Sequence, residues 1–136
     1  MLFRSSYSQD LYLLKTDSTG TLQWSKTYGG PAGETGFDVK QTADSGFILA
    51  GNTSSFGVSV SAVYLVRVNQ TGTLMWSKTF GGNGFDNGFS VCQTNDEGFI
   101  VAGTTNFFGA GTEDAYLIKT DSIGEDRKST RLNSSH

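Results

Sequence analysis

The chain has very little to cross-link or ligate with. Its 136 residues include one cysteine, Cys92, so an intrachain disulfide is excluded. They include one histidine, His136, at the last position, so neither a Ser-His nor a Cys-His couple can be built within the body of the chain. Charged residues make up only 17% and the formal net charge is −3. No basic stripe of the kind a phosphate backbone requires is present, which sets nucleic acid aside as a partner. No run approaches the ~18 apolar residues of a membrane helix, so no membrane span is expected. The opening MLFRSSYSQD lacks the apolar core of a secretory signal. No helical periodicity of any length is visible, and there is a single proline.

What is present is glycine, 18 residues of it, with 12% aromatics and many β-branched residues. That leaves enough apolar surface to bury, so the chain is not of the disordered type. The glycines do not fall at every third place, so it is not collagen-like. They punctuate a repeat. Residues 13–30 read LLKTDSTGTLQWSKTYGG, residues 65–82 read LVRVNQTGTLMWSKTFGG, and residues 117–124 return the first part as LIKTDSIG. Trp24 matches Trp76 (76 − 24 = 52), and Tyr12, Tyr64 and Tyr116 keep the same step (64 − 12 = 52; 116 − 64 = 52). About half of the aligned positions are identical between the two full copies, with no insertion or deletion. A period of this size indicates a propeller, a solenoid or an array.

Within one period the pattern predicts four short strands joined mostly by hairpin turns. The first, DLYLLKTD from Asp10, has Leu11 and Leu13 on one face and Tyr12 and Leu14 on the other, so both faces are expected to be covered. Then comes a turn, Asp17-Ser18-Thr19-Gly20, Asn69-Gln70-Thr71-Gly72 or Asp121-Ser122-Ile123-Gly124, which fits a type I turn closed by a left-handed glycine. The next strand alternates: Leu22, Trp24, Lys26 and Tyr28 against Gln23, Ser25 and Thr27, with Leu74, Trp76, Lys78 and Phe80 in the second copy. One packed and one wet face suit an outer strand. A Gly-Gly pair and a loop follow, then the short strands 36–42 and 88–94. The turns Ala43-Asp44-Ser45-Gly46 and Asn95-Asp96-Glu97-Gly98 lead into Phe47-Ile48-Leu49-Ala50-Gly51 and Phe99-Ile100-Val101-Ala102-Gly103. These near-continuous apolar runs are expected to be buried on both faces. Looser segments, SSFGVSVS and NFFGAGTE, return the chain to the next tyrosine strand.

Four strands per period mark a propeller blade. The pattern D-x-Y-L-x-K-x-D-x-x-G-x-x-x-W-S-K-T-[YF]-G-G … G-F-I-x-A-G-x-T resembles the β-propeller repeats of large secreted or surface-exposed bacterial and archaeal proteins, and its layout is similar to Kelch blades. By that analogy the innermost strand is 36–42 and the next three are 46–53, 62–69 and 73–80. The expected fold is all-β: a fragment of a β-propeller with four-stranded antiparallel blades, about two of them present. Residues 1–9 read as a truncated lead-in and 10–124 as repeats, with a complete blade over about 36–80 and partial blades over 10–30 and 88–124. Residues 125–136 break the pattern, because no Trp stands at 128 (76 + 52), and are expected to be disordered or artefactual. RKSTRLNSSH resembles a translated sequencing adapter, which would make the chain part of a longer gene and leave His136 without a role.

The candidate site residues resolve mostly into structure. Thr19-Gly20-x-x-x-Trp24 and Thr71-Gly72-x-x-x-Trp76 are similar to the tryptophan-docking motif of quinoprotein propellers, where the ring wedges between neighbouring blades; the acidic residue stands one place closer here. A packing role for both tryptophans is therefore expected over sugar stacking. Asp17, Asp44, Asp96 and Asp121 lack the dense acid spacing of a calcium loop and read as turn formers. Glu34, Asp86, Glu113 and Asp114 lie in loops where a binding face could form, without an acid pair in a catalytic-looking context. Cys92, which stands where Lys40 stands one repeat earlier, reads as a half-buried strand thiol. The sequons at Asn52 and Asn69 read as strand-end residues. No catalytic, cofactor-binding or metal-binding residue is assigned, and no cofactor is expected. The expected function is a non-catalytic scaffold or protein- or glycan-binding module of an extracellular or cell-surface protein, completed by further blades from the same or identical chains. The alternatives are a self-assembling propeller lectin and a fragment of a propeller enzyme whose active residues lie in other blades.

Overall fold

A computed structural model describes residues 9–106 and 113–132. Most of the lead-in, the middle of the NFFGAGTE segment and His136 lie outside the described residues. Ten strands follow in order: β1 (Leu11–Thr16), β2 (Leu22–Tyr28), β3 (Glu34–Gln41), β4 (Phe47–Thr53), β5 (Ser61–Val68), β6 (Leu74–Gly84), β7 (Asp86–Gln93), β8 (Phe99–Thr105), β9 (Asp114–Thr120) and β10 (Asp126–Leu132). They form a two-stranded sheet β1-β2 and two four-stranded antiparallel sheets, β3-β4-β5-β6 and β7-β8-β9-β10. The protein is all-β, and its sheets are consistent with propeller-like blades; the described residues do not close a ring. They contain no helix long and apolar enough to cross a membrane.

The turns form as their residues dictate. In the β1–β2, β5–β6 and β9–β10 hairpins the Asp or Asn opens the turn and the glycine closes it, with the Gly20, Gly72 and Gly124 amides donating to the Asp17, Asn69 and Asp121 carbonyls at 3.1, 3.0 and 3.2 Å. All three glycines take the left-handed backbone, with φ of 86°, 82° and 83°, which a side chain would resist. The opener's Oδ1 braces the loop: that of Asn69 accepts from the amides of Thr71 and Thr73 at 3.0 and 2.9 Å. The same bonds recur at Asp17 and Asp121.

The core lies between sheets, not within one. Residues of β4 alternate sides. Ile48 and Ala50 join Val63, Leu65 and Phe80 against Val91, Phe99, Val101 and Ile118 of the next sheet. Leu49, with Tyr64, Val66 and Val68, packs instead on Leu11 and Tyr28 of the two-stranded sheet. Hence the middle sheet is apolar on both faces, as its unbroken apolar runs require. The expectation that both faces of β1 are covered does not hold. Leu11 is buried, but Tyr12 and Leu14 are exposed, because no described sheet stands on that side.

The tail also departs from expectation. Residues Asp126–Leu132 are not disordered but pair with β9 as the outer strand of the last sheet. The register is that of the earlier copies: Lys15 faces Trp24, Arg67 faces Trp76 and Lys119 faces Lys128. Ladder bonds are made by backbone amides and carbonyls. A polar stretch without the tryptophan can therefore occupy the open edge that β9 presents.

Candidate functional site

Two kinds of surface could engage a partner: the junctions between sheets and the strand ends beside them. At the first junction Trp24 leaves β2 and lies on the β5–β6 turn. Its Nε1 donates to the Gln70 carbonyl at 3.1 Å. Its ring sits so close to Gly72 that a Cβ there would be 2.7 Å from Cζ3. Tyr28 Oη donates to the Gly72 carbonyl at 2.5 Å, and burial raises the phenol's pKa. Trp76 repeats the seat on Gly124, where a Cβ would be 2.8 Å from Cζ3. Each indole also meets a phenylalanine edge-on, Trp24 with Phe47 at 6.0 Å and Trp76 with Phe99 at 5.7 Å between centroids. The tryptophans thus join neighbouring sheets, and most of each ring is unavailable for sugar stacking.

Polar bonds add to the junction between the four-stranded sheets. Asp38 Oδ2 accepts from the Val91 amide at 2.9 Å, and Gln93 Oε1 accepts from the Ala43 amide at 2.8 Å. Asn52 Nδ2 donates to Asn87 Oδ1 at 2.5 Å, so the first sequon asparagine is engaged between sheets. Arg67, buried, lies over the Phe99 ring at 5.3 Å and donates to the Ser122 carbonyl and to Asp44 Oδ2, both at 3.0 Å.

The acids are occupied in turns and loop caps. Asp44 Oδ1 accepts from the Thr42 hydroxyl at 2.5 Å and the Gly46 amide at 3.1 Å, and the Thr42 bond leads in holding its carboxyl below the usual aspartate range. Asp96 does the same with Thr94 and Gly98, with Lys119 beside it, and its pKa is strongly lowered, first by the Thr94 hydroxyl. Thr19 lowers Asp17 in the same way. At the opposite end of the sheets Glu34 is buried and accepts from the Gly30 amide at 3.1 Å and the Thr53 hydroxyl at 2.6 Å, and from Ser55. Asp86 is buried at the matching place, its carboxylate against Gly81. Asp114 opens β9, half-buried, and Glu113 before it is exposed. These residues are not brought together into an acid pair. Among the described residues no group of three His, Cys, Asp or Glu could hold a metal ion.

Cys92 is exposed, not half-buried, because it lies on the uncovered face of the last sheet. It lines an open cleft of about 580 Å³ between the ends of β3 and β7, with Lys40, Gln41, Asn95 and Glu97. The cleft offers amides, the Thr42 and Thr94 hydroxyls, the Lys40 ammonium, the Glu97 carboxylate and the Cys92 thiol, a polar lining that suits a polar ligand. Further along the same two strands Phe37 and Phe89 meet edge to face with centroids 4.8 Å apart, both half-exposed. Sequence reasoning passed over this pair and over Arg67. The recurrence of Phe at 37 and 89 inside G-F-x-V was the available signal.

Compared with protein-family models and with curated proteins, the chain matches none.

Proposed function

We propose that the chain is a non-catalytic β-propeller repeat module of an extracellular or cell-surface protein, serving as a scaffold or as a protein- or glycan-binding surface. The observation that carries this reading is the employment of its polar side chains. The recurring aspartates close turns, Glu34 caps a buried loop, and the tryptophans seat one sheet on the next. Among the clefts open to a ligand is the polar one at the ends of β3 and β7, and the Phe37–Phe89 pair stands further along the same two strands. Aromatic faces on the same strands as amides and hydroxyls suit a neutral glycan or an extended polar peptide.

Titration calorimetry with soluble polysaccharides tests the reading. Saturable binding is expected, weakened severalfold by Lys40→Ala and by Asn95→Ala, with no release of reducing ends from the bound polymer. Hydrolysis of the polymer by the purified chain would overturn it, as would binding indifferent to both substitutions.

A further inference from the structure

Between the outer strands β2 and β6 the first two sheets leave a cleft of about 400 Å³, lined in part by Lys26, Tyr28, Phe56, Tyr64, Thr73 and Ser77. That size lies within the range of small-ligand sites, ~300–1,000 Å³. One wall is aromatic: Phe56 tilts over Tyr64 with centroids 5.4 Å apart and is 51% exposed. The ring is held there by a strained turn. Phe56 and Gly57 are both left-handed, with φ of 60° and 78°, and the Val58 amide donates to the Ser55 carbonyl at 3.4 Å. Asparagine or glycine takes the first of two such places readily, and a bulky phenylalanine does not. Residues in sparsely populated backbone conformations cluster at ligand clamps.

The charge of this cleft differs from that of its own repeat. Lys26 and Lys78 are the same residue one period apart (78 − 26 = 52), and Thr73 stands where Glu125 does (125 − 73 = 52). Lys78 Nζ donates to Glu125 at 3.1 Å. In the first copy the acid is replaced by threonine, and among the described residues Lys26 has no ion pair. Its stem crosses the β5–β6 turn, where a Cβ on Gly72 would be 3.0 Å from Lys26 Cγ. No carboxylate lines the cleft. Glu34, which acts on the Tyr64 phenol, is buried and already accepts from the Gly30 amide and the Thr53 hydroxyl.

We infer that this cleft binds a carboxylated sugar residue, a hexuronate of an acidic polysaccharide. The apolar face of the sugar ring lies on Phe56, its carboxylate accepts from Lys26 Nζ, and its hydroxyls meet those of Thr73 and Ser77. A neutral sugar would leave the ammonium without a counter-ion, and an acidic peptide without rings would leave the aromatic wall uncovered. The site lies on other strands than the cleft at β3 and β7. It rests only on the glycan-binding part of the proposed function.

Titration calorimetry of the full chain with trigalacturonate at low ionic strength tests the inference. Saturable one-to-one binding is expected, weakening as salt is added. The fully methyl-esterified trimer keeps the skeleton and lacks the charge, and it should bind at least about tenfold more weakly. Lys26→Gln, at an exposed position, should weaken binding of the acid as much. Thr73→Glu rebuilds the pair of the second copy and should do the same, because the added carboxylate takes up the ammonium. Phe56→Asn suits the left-handed place, so the melting temperature should hold or rise while binding falls about tenfold. No binding, equal binding of the ester or of triglutamate, or indifference to any of the three substitutions overturns the inference. Lys40→Ala and Asn95→Ala should leave trigalacturonate binding unchanged. Loss through those two instead would place the acid in the cleft at β3 and β7, which overturns this inference and leaves the module reading standing. Failure of the module reading is read separately, from neutral polysaccharides on the Lys40 and Asn95 variants.

Discussion

Leu65 and Leu117 are the same residue at the same place in the repeat, and they live in different surroundings. Leu65 in the middle sheet has none of its surface accessible, whereas Leu117 in the last sheet has 41%. At the other end, Tyr12 is 64% exposed where Tyr64 is 3%. Nothing in the residues distinguishes these pairs. Among the described residues the middle sheet is covered on both sides, and each terminal sheet is covered on one. In a repeat whose core lies between units, burial is a property of position in the stack. Each unit is therefore stabilised mainly by its neighbours.

The sharpest way to break this comparison is to truncate both leucines. Leu65→Ala removes buried methyls between two sheets and should cost about 2–5 kcal/mol. Leu117 is 41% exposed with no described sheet over it, so Leu117→Ala should stay within about 0.5 kcal/mol. Urea denaturation of the two variants measures the difference, and equal losses would mean that the outer face of the last sheet is covered in solution.

The glycine turns give a second, smaller contrast. Gly20→Ala places a side chain at φ 86° with open space around it, so only backbone strain of about 1 kcal/mol is expected. Gly72→Ala meets the same strain and also drives a methyl into the Trp24 ring, 2.7 Å away. Overpacking adds about 1–3 kcal/mol, and Trp24 emission should shift to the red as the indole is displaced. If the two variants melt together, the indole–glycine seat contributes nothing.

These contrasts also show where sequence reasoning reached and where it stopped. The period, the four strands, the left-handed glycine of the Asp/Asn turns and the doubly apolar strands β4 and β5 were all legible, because each rests on local pattern. The docking role of Trp24 was legible from its spacing to Thr19-Gly20, but its seat was not: Gly72 is a repeat away, and only the packing of sheets brings it near. The exposure of Tyr12 and Leu14 was misjudged because alternation reports which residues share a face, not whether a neighbour covers it. The β10 strand was missed because an edge strand is held by its partner's backbone more than by its own apolar pattern. Arg67 reads as a surface cation from composition alone and is buried by the junction it bridges.

Acid should sharpen the comparison further. Five aspartates (Asp17, Asp38, Asp44, Asp96 and Asp121) have carboxyls held below the usual value of 3.8. At Asp38 burial is the largest influence and raises it, but the bonds from Lys40 and the Val91 amide outweigh burial. A carboxyl with a depressed folded pKa stabilises the fold above its unfolded pKa, and that contribution is lost as pH falls through the folded value. Stability should therefore be level from neutral pH to about 5 and fall steadily below about 4. At neutral pH, Asp44→Asn should lower the urea midpoint more than Asp96→Asn. Asp44 neutralises Arg67, whose side chain is 11% exposed, while the partner of Asp96, Lys119, is 29% exposed. A charge more deeply removed from water loses more when its counter-ion is taken away. Equal shifts would mean that Arg67 is as well hydrated as Lys119.

The smallest effect is expected where the two sheets should not differ at all. In the β3–β4 and β7–β8 turns the left-handed residue is not the glycine but the residue before it, Ser45 at φ 70° and Glu97 at φ 66°. Gly46 and Gly98 are needed for another reason: a Cβ on either would run into the backbone carbonyl of Val68 or Thr120 on the adjacent strand. Ser45→Gly and Glu97→Gly relieve the backbone strain but give the unfolded chain more freedom to lose, so a net gain of at most about 0.5–1 kcal/mol is expected. Both turns are closed by their own residues, Thr42 with Asp44 and Thr94 with Asp96, so the gain should be the same in the middle and the last sheet. A matched pair here, beside unmatched pairs at Leu65 and Leu117, would assign the difference between sheets to neighbour packing. Unequal gains would instead place part of it in the strands' own turns.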